Sequence, residues 1–417
     1  MKIAVIGGGI AGMMSWYLLR RQHDVTLFEA NDYLGGHTAT VDIEEQGRQL
    51  AIDTGFIVFN NWTYPLFNKF IAELGVPFKD TTMSFAVTDR QRDFEYNGNN
   101  FWSLFAQKRN LFRPSFWKML LDIVRFNDIA KAALKHNSKD LDLPIGEFLM
   151  KHQLGAHLRD LYLYPMGAAI WSAGLSSMQD FPLRFFLQFC NNHGLLNVND
   201  RPQWAVIEGG SRQYVRTVLD KVGSEGIRLN SPVRKVTRDA DGVTIELANG
   251  EQQRFDQVVF ACHSDQALRM LADASSNEHE VLSGIAYQDN DVILHTDTAL
   301  LPKRKAAWAA WNYLLGRSAQ QRATLSYNMN MLQGIDSQTT YVVSLNAKEQ
   351  IDPSKILRTF SYAHPVYNHT TMLSQQRRGQ INGKNRSYFC GAYWYNGFHE
   401  DGVRSAVDVA AMLGVDF

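Results

Sequence analysis

Gly7-Gly8-Gly9-Ile10-Ala11-Gly12 follows the apolar run from Lys2 to Ile6 and satisfies the G-x-G-x-x-G spacing. Chemistry for such a loop is recognition of a pyrophosphate. Gly7 permits a tight turn, Gly9 lets backbone amides approach the phosphates without a side chain between, and Gly12 lets a helix pack closely on a strand. The helix that should start there, with Ile10 and Ala11 in its first turn, adds the partial positive charge of its N-terminus. A second apolar strand, Val25-Thr26-Leu27-Phe28, ends in Glu29, close to the interval of about 20 residues at which an acid meets the ribose. A carboxylate there accepts from ribose hydroxyls and disfavours a 2′-phosphate, so the expected nucleotide is FAD or NAD rather than NADP. A glycine-rich turn without a ligand is the competing reading, and Glu29 at this spacing tells against it.

The stretch Phe28-Glu29-Ala30-Asn31-Asp32-Tyr33-Leu34-Gly35-Gly36-His37 resembles the flavin-containing amine oxidase and phytoene-desaturase superfamily. There a Glu-Ala segment followed by a glycine doublet distinguishes FAD binding from simple NAD binding. The resemblance implies FAD contacts from Glu29, Ala30, Gly35, Gly36 and His37, where His37 replaces the usual Arg. Trp204 to Ser211 resembles the glycine-doublet turn that re-enters the cofactor domain, and Val233 resembles the backbone contact to adenine.

The closing segment, Tyr388 to Ala406, continues the likeness. A strand ending in Phe389-Cys390-Gly391 leads to Asp401-Gly402 at the opening of a final helix. The resemblance implies that Gly391 borders the cofactor, that Asp401 holds a ribityl hydroxyl, and that amides near Gly402 and Val403 face the pyrimidine end of the ring. An N-terminal dipole there favours the negative charge of reduced flavin. Asp401 as a simple N-cap is the alternative.

The implied fold is α/β: a Rossmann-like FAD-binding domain of the GR2 type with a parallel sheet, and a discontinuous α+β substrate domain. The expected segments are 1–59, 203–262 and 383–417 for the first, and 60–202 with 263–382 for the second. The earlier substrate part reads as helical and the later one as sheet-containing. Two insertion stretches, Tyr162 to Ser172 and Ser326 to Gln333, carry aromatics with polar tips suited to a pocket wall. With Gly397 to Gly402 they resemble a bacterial subgroup of predicted NAD/FAD-binding, amine-oxidase-like proteins, which looks associated with enzymes that modify membrane fatty-acyl chains.

A flavin accepts or delivers hydride itself, leaving the protein to place a C–H bond, exclude water and tune the ring. The chain accordingly has no G-x-S-x-G elbow, no zinc-spaced Cys/His cluster and no P-loop. His399, with Trp394 and Phe398, is expected at the chemistry, and histidine titrates near neutrality; a structural His399 steadying the Glu400 loop is the alternative. Amine oxidases place a Lys on the strand matching Tyr287 to His295, which here has none, and Phe398 lacks the hydroxyl of the usual cage tyrosine. Ser361-Tyr362-Ala363-His364-Pro365 has no cysteine where some relatives attach flavin covalently, so noncovalent FAD is expected. The leading reading is an FAD-dependent oxidoreductase transferring a hydride between the flavin and an organic substrate, with a fatty-acyl or lipid chain (desaturase, saturase or isomerase type) as the candidate substrate. True amine oxidation, an FAD-bound accessory protein without turnover and an NAD-linked dehydrogenase are the alternatives.

A chain of 417 residues exceeds what one core sustains, so two regions are expected. The 42 Lys+Arg balance 42 Asp+Glu, giving no net field for nucleic acid. Cys190, Cys262 and Cys390 are distant and odd in number, which suits a reducing compartment. The start runs directly into strand and glycines without a signal-peptide pattern, so a cytoplasmic location is expected. No stretch reaches about 18 uninterrupted apolar residues. Peripheral membrane contact stays open, because Phe101 to Leu121 interleaves Trp and Phe with Lys108, Arg109, Arg113 and Lys118 as interfacial helices do. A helix pair packing its aromatic face on the core is the plainer reading.

Overall fold

The computed structural model describes residues 1–171, 173–197, 199–316 and 324–417; Ser172, from the Tyr162 to Ser172 stretch, lies outside the described residues. Five strands form an all-parallel sheet in the order Ile227–Arg228, Asp24–Phe28, Lys2–Ile6, Gln257–Phe260, Ser387–Phe389. The central strand is apolar on both faces, as a sheet covered on both sides requires: Ile3, Ala4 and Val5 are fully buried. The helices Ile10–Leu19 and His399–Met412 lie together on one side, with Met13, Trp16, Val403, Ala406 and Val409 in a shared core.

The strand Trp204–Ile207 pairs with Phe59–Asn60 and Phe78–Thr81 in a separate small sheet instead of joining the parallel one. Its glycine doublet does turn into a helix, Arg212–Val222, and Asp53 caps that turn by accepting from the Ser211 amide at 2.9 Å and its hydroxyl at 2.9 Å.

The first insertion is not helical throughout. After the helix Pro65–Leu74 and the strand Phe78–Thr81 come the strands Phe85–Asp89 and Phe94–Asn97, which complete a seven-stranded sheet with Ile356–Pro365, Tyr287–His295, Val342–Leu345, Thr324–Asn328 and Trp311–Leu314. Phe85–Asp89 pairs in parallel with Trp311–Leu314, more than 220 residues later (311 against 85), so that partner is invisible to a local reading. Helices follow: Pro114–Lys135, Ile145–Lys151, Tyr164–Trp171 and Leu183–Asn192, around buried Phe148, Leu163 and Phe186. No helix among the described residues is long and apolar enough to cross a membrane.

Candidate cofactor and substrate site

At the end of the Lys2–Ile6 strand the chain turns through Gly7, whose amide donates to the Phe28 carbonyl at 2.8 Å. A Cβ on Gly12 would stand 1.8 Å from the Gly7 carbonyl oxygen, so only glycine allows this strand–helix approach. At Gly9 nothing lies within 4 Å of the corresponding point. Gly9 also caps the helix without a side-chain bond, leaving the first-turn amides to whatever occupies the adjoining cavity. Glu29 braces the loop: one oxygen accepts from the Gly8 amide at 2.6 Å, the other from the Asn31 amide at 2.8 Å. Gly35 donates to the Gly8 carbonyl at 2.8 Å, which brings the second glycine pair against the first loop.

The His399–Met412 helix points its N-terminus at the same place. Gly402 is the closest approach, since a Cβ there would lie 2.7 Å from the Ile10 side chain. The amides of Asp401 and Gly402 already donate to the Phe398 carbonyl, so the unpaired amides are one turn earlier than the sequence suggests, at His399 and Glu400. Val403 is fully buried in the core between the helices. Asp401 accepts from the amides of Phe398 at 2.9 Å and Asn396 at 3.1 Å, reaching back to hold the loop before the helix. Burial pushes its carboxyl up to about 7. Glu400 bonds the Leu66 and Phe67 amides at 2.9 and 2.8 Å, and burial raises it too, to about 7.

Both helix starts open on one cavity of about 1200 Å³, larger than the roughly 300–1,000 Å³ of an ordinary ligand pocket. Gly7, Gly9, Ile10, Ala11, Glu29, Ala30, Gly35, Gly36, His37, Val233, Gly391 and Gly402 line it. Gly12, Asp401 and Val403 stand behind the wall. His37 meets two histidines from other segments: its ring centroid is 5.6 Å from His364 and 6.2 Å from His263. Burial, with smaller effects of those two rings, lowers His37 to about 3.

Beyond the helix starts the cavity widens between aromatic side chains, including Trp171, Phe189, Trp311, Tyr327, Tyr367 and Phe398. The Trp171 and Trp311 indole nitrogens and the Tyr367 hydroxyl are buried without hydrogen-bond partners. Groups of this kind call for a ligand or water. Phe398 stacks on Phe189 with 4.9 Å between centroids. Trp394 does not reach the cavity: its indole nitrogen donates to the Phe389 carbonyl at 3.0 Å, and its neighbour Tyr393 takes the lining position. His399 lines the cavity through a ring that is neutral near pH 7, lowered to about 3 mainly by burial.

The residues fit a flavin dinucleotide. The uncapped N-terminus of Ile10–Leu19, the free His399 and Glu400 amides of the second helix start, a brace at Glu29, open space beside Gly9 and unpartnered donors in the wall match an elongated ligand with a central dianion.

A family model described as flavin containing amine oxidoreductase matches residues 10–358. Among curated proteins, the chain is similar to the probable flavin-containing monoamine oxidase A of Dictyostelium discoideum, 24% identical over 276 residues, 62% of this chain and 56% of that protein. It thus spans little more than half the length of that relative. Among solved structures it is similar to the CLA-producing fatty acid isomerase from P. acnes, with a TM-score of 0.71, 14% identity and 98% of each chain covered. It is similar as well to the cyclohexylamine oxidase from Brevibacterium oxydans IH-35A, with a TM-score of 0.70, 14% identity and 99% of each chain covered. At such identities the likeness is one of fold.

Proposed function

The chain belongs to the flavin-containing amine oxidoreductase family, and from that premise we propose that it is an FAD-dependent oxidoreductase moving a hydride between the flavin and a long apolar substrate of the fatty-acyl type. The fold does not choose the substrate, since fatty acid and amine enzymes share it. The observation that carries the choice is the cavity wall. Among its described lining residues there is no lysine, and the only carboxylates are Glu29, already engaged with Gly8 and Asn31, and Asp289. An alkyl chain needs no counter-charge in such a wall, whereas an ammonium group among its aromatic side chains would have only those two carboxylates to offset its lost hydration.

Noncovalently bound FAD would supply the hydride chemistry. The amides at the start of Ile10–Leu19 would hold the pyrophosphate and Glu29 the ribose, with Val233 beside the adenine. Amides of His399 and Glu400 would face the ring, and the Phe189–Phe398 stack would keep water from the reacting carbon. Neutral His399 orients its neighbours by hydrogen bonding, which suits it to steadying the site more than to giving up a proton.

Amine oxidation is the second reading, because aromatic walls also hold ammonium groups through cation–π contact, worth about 0.5–2 kcal/mol. The two are separated by photoreducing or oxidising the purified yellow protein under anaerobic conditions and adding unsaturated fatty acids and phospholipids, or amines. Lipid-dependent change in flavin absorbance is the expected result. Bleaching by amines alone overturns the lipid reading, and no response to either leaves the accessory-protein reading standing. Acid precipitation should release all yellow colour to the supernatant.

A further inference from the structure

The segment Phe101 to Val124 carries two apolar faces, of which only one is used by the core. Phe105, Phe116 and Met119 are buried in the cluster that closes over Tyr96 and Phe94. Trp117, Leu121 and Val124, at the i, i+4, i+7 spacing of a single helix face, point the other way and are exposed by 43, 70 and 49%. Next to them stand Phe112 at 84%, Trp102 at 83% and Phe101 at 59%, the most solvent-exposed large aromatic side chains among the described residues. These side chains belong to one platform. Phe101 packs on Trp102 and on Phe105, Phe105 on Trp117, and the Trp117 indole nitrogen donates to the Leu111 carbonyl at 2.9 Å.

Charge specifies the occupant. Residues 101–124 contain Lys108, Arg109, Arg113 and Lys118 and a single acid, Asp122, which is buried and accepts from the Gly155 amide at 3.2 Å. Lys108, Arg109 and Lys118 are exposed, and only Arg109 is paired with a carboxylate, that of Asp93. A rigid aromatic platform rimmed by cations suits the boundary of an anionic bilayer, where Trp and Phe sit at headgroup depth and Lys and Arg meet lipid phosphates. The cavity adds a second reason. Its wall reaches the surface at Gly98 and Asn99, immediately before Phe101 and Trp102.

We propose that the Phe101 to Val124 platform docks the protein on anionic phospholipid and turns the Gly98–Asn99 end of the cavity toward the bilayer, so that an acyl chain passes in without crossing water. Chain entry rests on the acyl reading above; docking does not.

The test is flotation of the FAD-loaded full chain with phosphatidylcholine vesicles containing phosphatidylglycerol and with phosphatidylcholine alone. The protein should float with the anionic vesicles and detach as salt rises. K108Q and K118Q should each weaken binding about fivefold, as loss of one basic side chain at a membrane surface does. The double variant W102A/F112A should lose binding to anionic vesicles while keeping its flavin absorbance, which reports an intact fold. Failure of the unaltered protein to bind anionic vesicles overturns the proposal, as does equal binding by all variants. So does a concentration-dependent dimer, seen by sedimentation velocity without vesicle binding and abolished by W102A/F112A, which assigns the platform to a second copy. Vesicle binding is read without turnover, so docking with no lipid-dependent flavin change retains this inference and sinks the acyl reading. Turnover on detergent-dispersed lipid with no docking does the reverse.

Discussion

The His399 imidazole lies on the Phe56 ring with 3.6 Å between centroids and 8° between planes, and its Nε2 is joined to the Tyr214 hydroxyl at 2.9 Å. Tyr214 in turn bonds Thr38 Oγ1 at 2.5 Å. One line of contacts thereby ties the start of the C-terminal helix to the segment just after the second glycine pair. His399→Ala should therefore destabilise the fold, by about 2–4 kcal/mol as for other large buried side chains, with flavin affinity falling alongside. His399→Phe restores the stack and should recover most of the stability in urea unfolding. If the acid limb of the pH–rate profile disappears in His399→Phe while the protein stays folded, His399 is the titrating group and its role as a neutral brace is wrong.

Glu29→Gln tests the brace of the glycine loop. An amide nitrogen placed against the Gly8 or Asn31 donors removes one charged hydrogen bond, worth about 1.5–3 kcal/mol. FAD affinity, measured by quenching of flavin fluorescence, should drop about 10- to 100-fold.

Gly12→Ala and Gly9→Ala should part company. The first forces a Cβ into the Gly7 carbonyl and should cost about 3 kcal/mol or more, lowering stability even without cofactor. The second meets no protein atom, so its apoprotein should unfold at nearly the unaltered urea midpoint while FAD binding weakens. Equal midpoints for both variants would contradict the close-packing role of Gly12.

Arg238 and Glu278 form a buried pair, 3 and 1% exposed in their side chains, with a second bond from Nη2 to Oε2 at 2.9 Å and with Asp273 alongside. Truncating Glu278 leaves the buried Arg238 with Asp273 as its one carboxylate partner, so Glu278→Ala should destabilise by about 3 kcal/mol, the low end for a broken buried pair. Chemical denaturation measures this directly.

Acid should weaken the cofactor-free protein. Burial lowers His37, His193, His263, His295, His364 and His399, the first and last to about 3. Their unfolded forms take up protons from about 6.5 downward while the folded forms do not, so each removes stability as pH falls toward 4. Asp53, raised to about 6, and Glu400 and Asp401, raised to about 7, act oppositely: they keep protons in the fold that the unfolded chain releases, and remove stability as pH rises from about 4 to 7. Six histidines against three carboxyls make the histidines dominate. The urea midpoint should therefore fall between about pH 7 and about pH 5.

Spacing within a few residues determined the dinucleotide loop. Gly7, Gly9, Gly12 and the Glu29 strand end meet steric and hydrogen-bonding demands that act locally, so one short window of sequence states them. The same holds for Gly35-Gly36, whereas the final helix opens at His399, one turn before the Asp401-Gly402 pair that marks it in the sequence. Tertiary packing alone decided the rest. His37, His263 and His364 come from three separated segments and become a cluster only when the parallel sheet and the seven-stranded sheet face each other across the cavity. Phe85–Asp89 sits inside the seven-stranded sheet because Trp311–Leu314, distant in sequence, pairs with the side that its hairpin partner Phe94–Asn97 leaves open. Trp394 and Tyr393 are equivalent aromatics in sequence, and the path of a single turn sends one into the core and the other to the wall. Phe105 and Trp102 are likewise three residues apart in one aromatic run, yet one is core and the other 83% exposed. Burial is a property of what the rest of the chain places opposite a side chain, and side-chain type alone does not carry it.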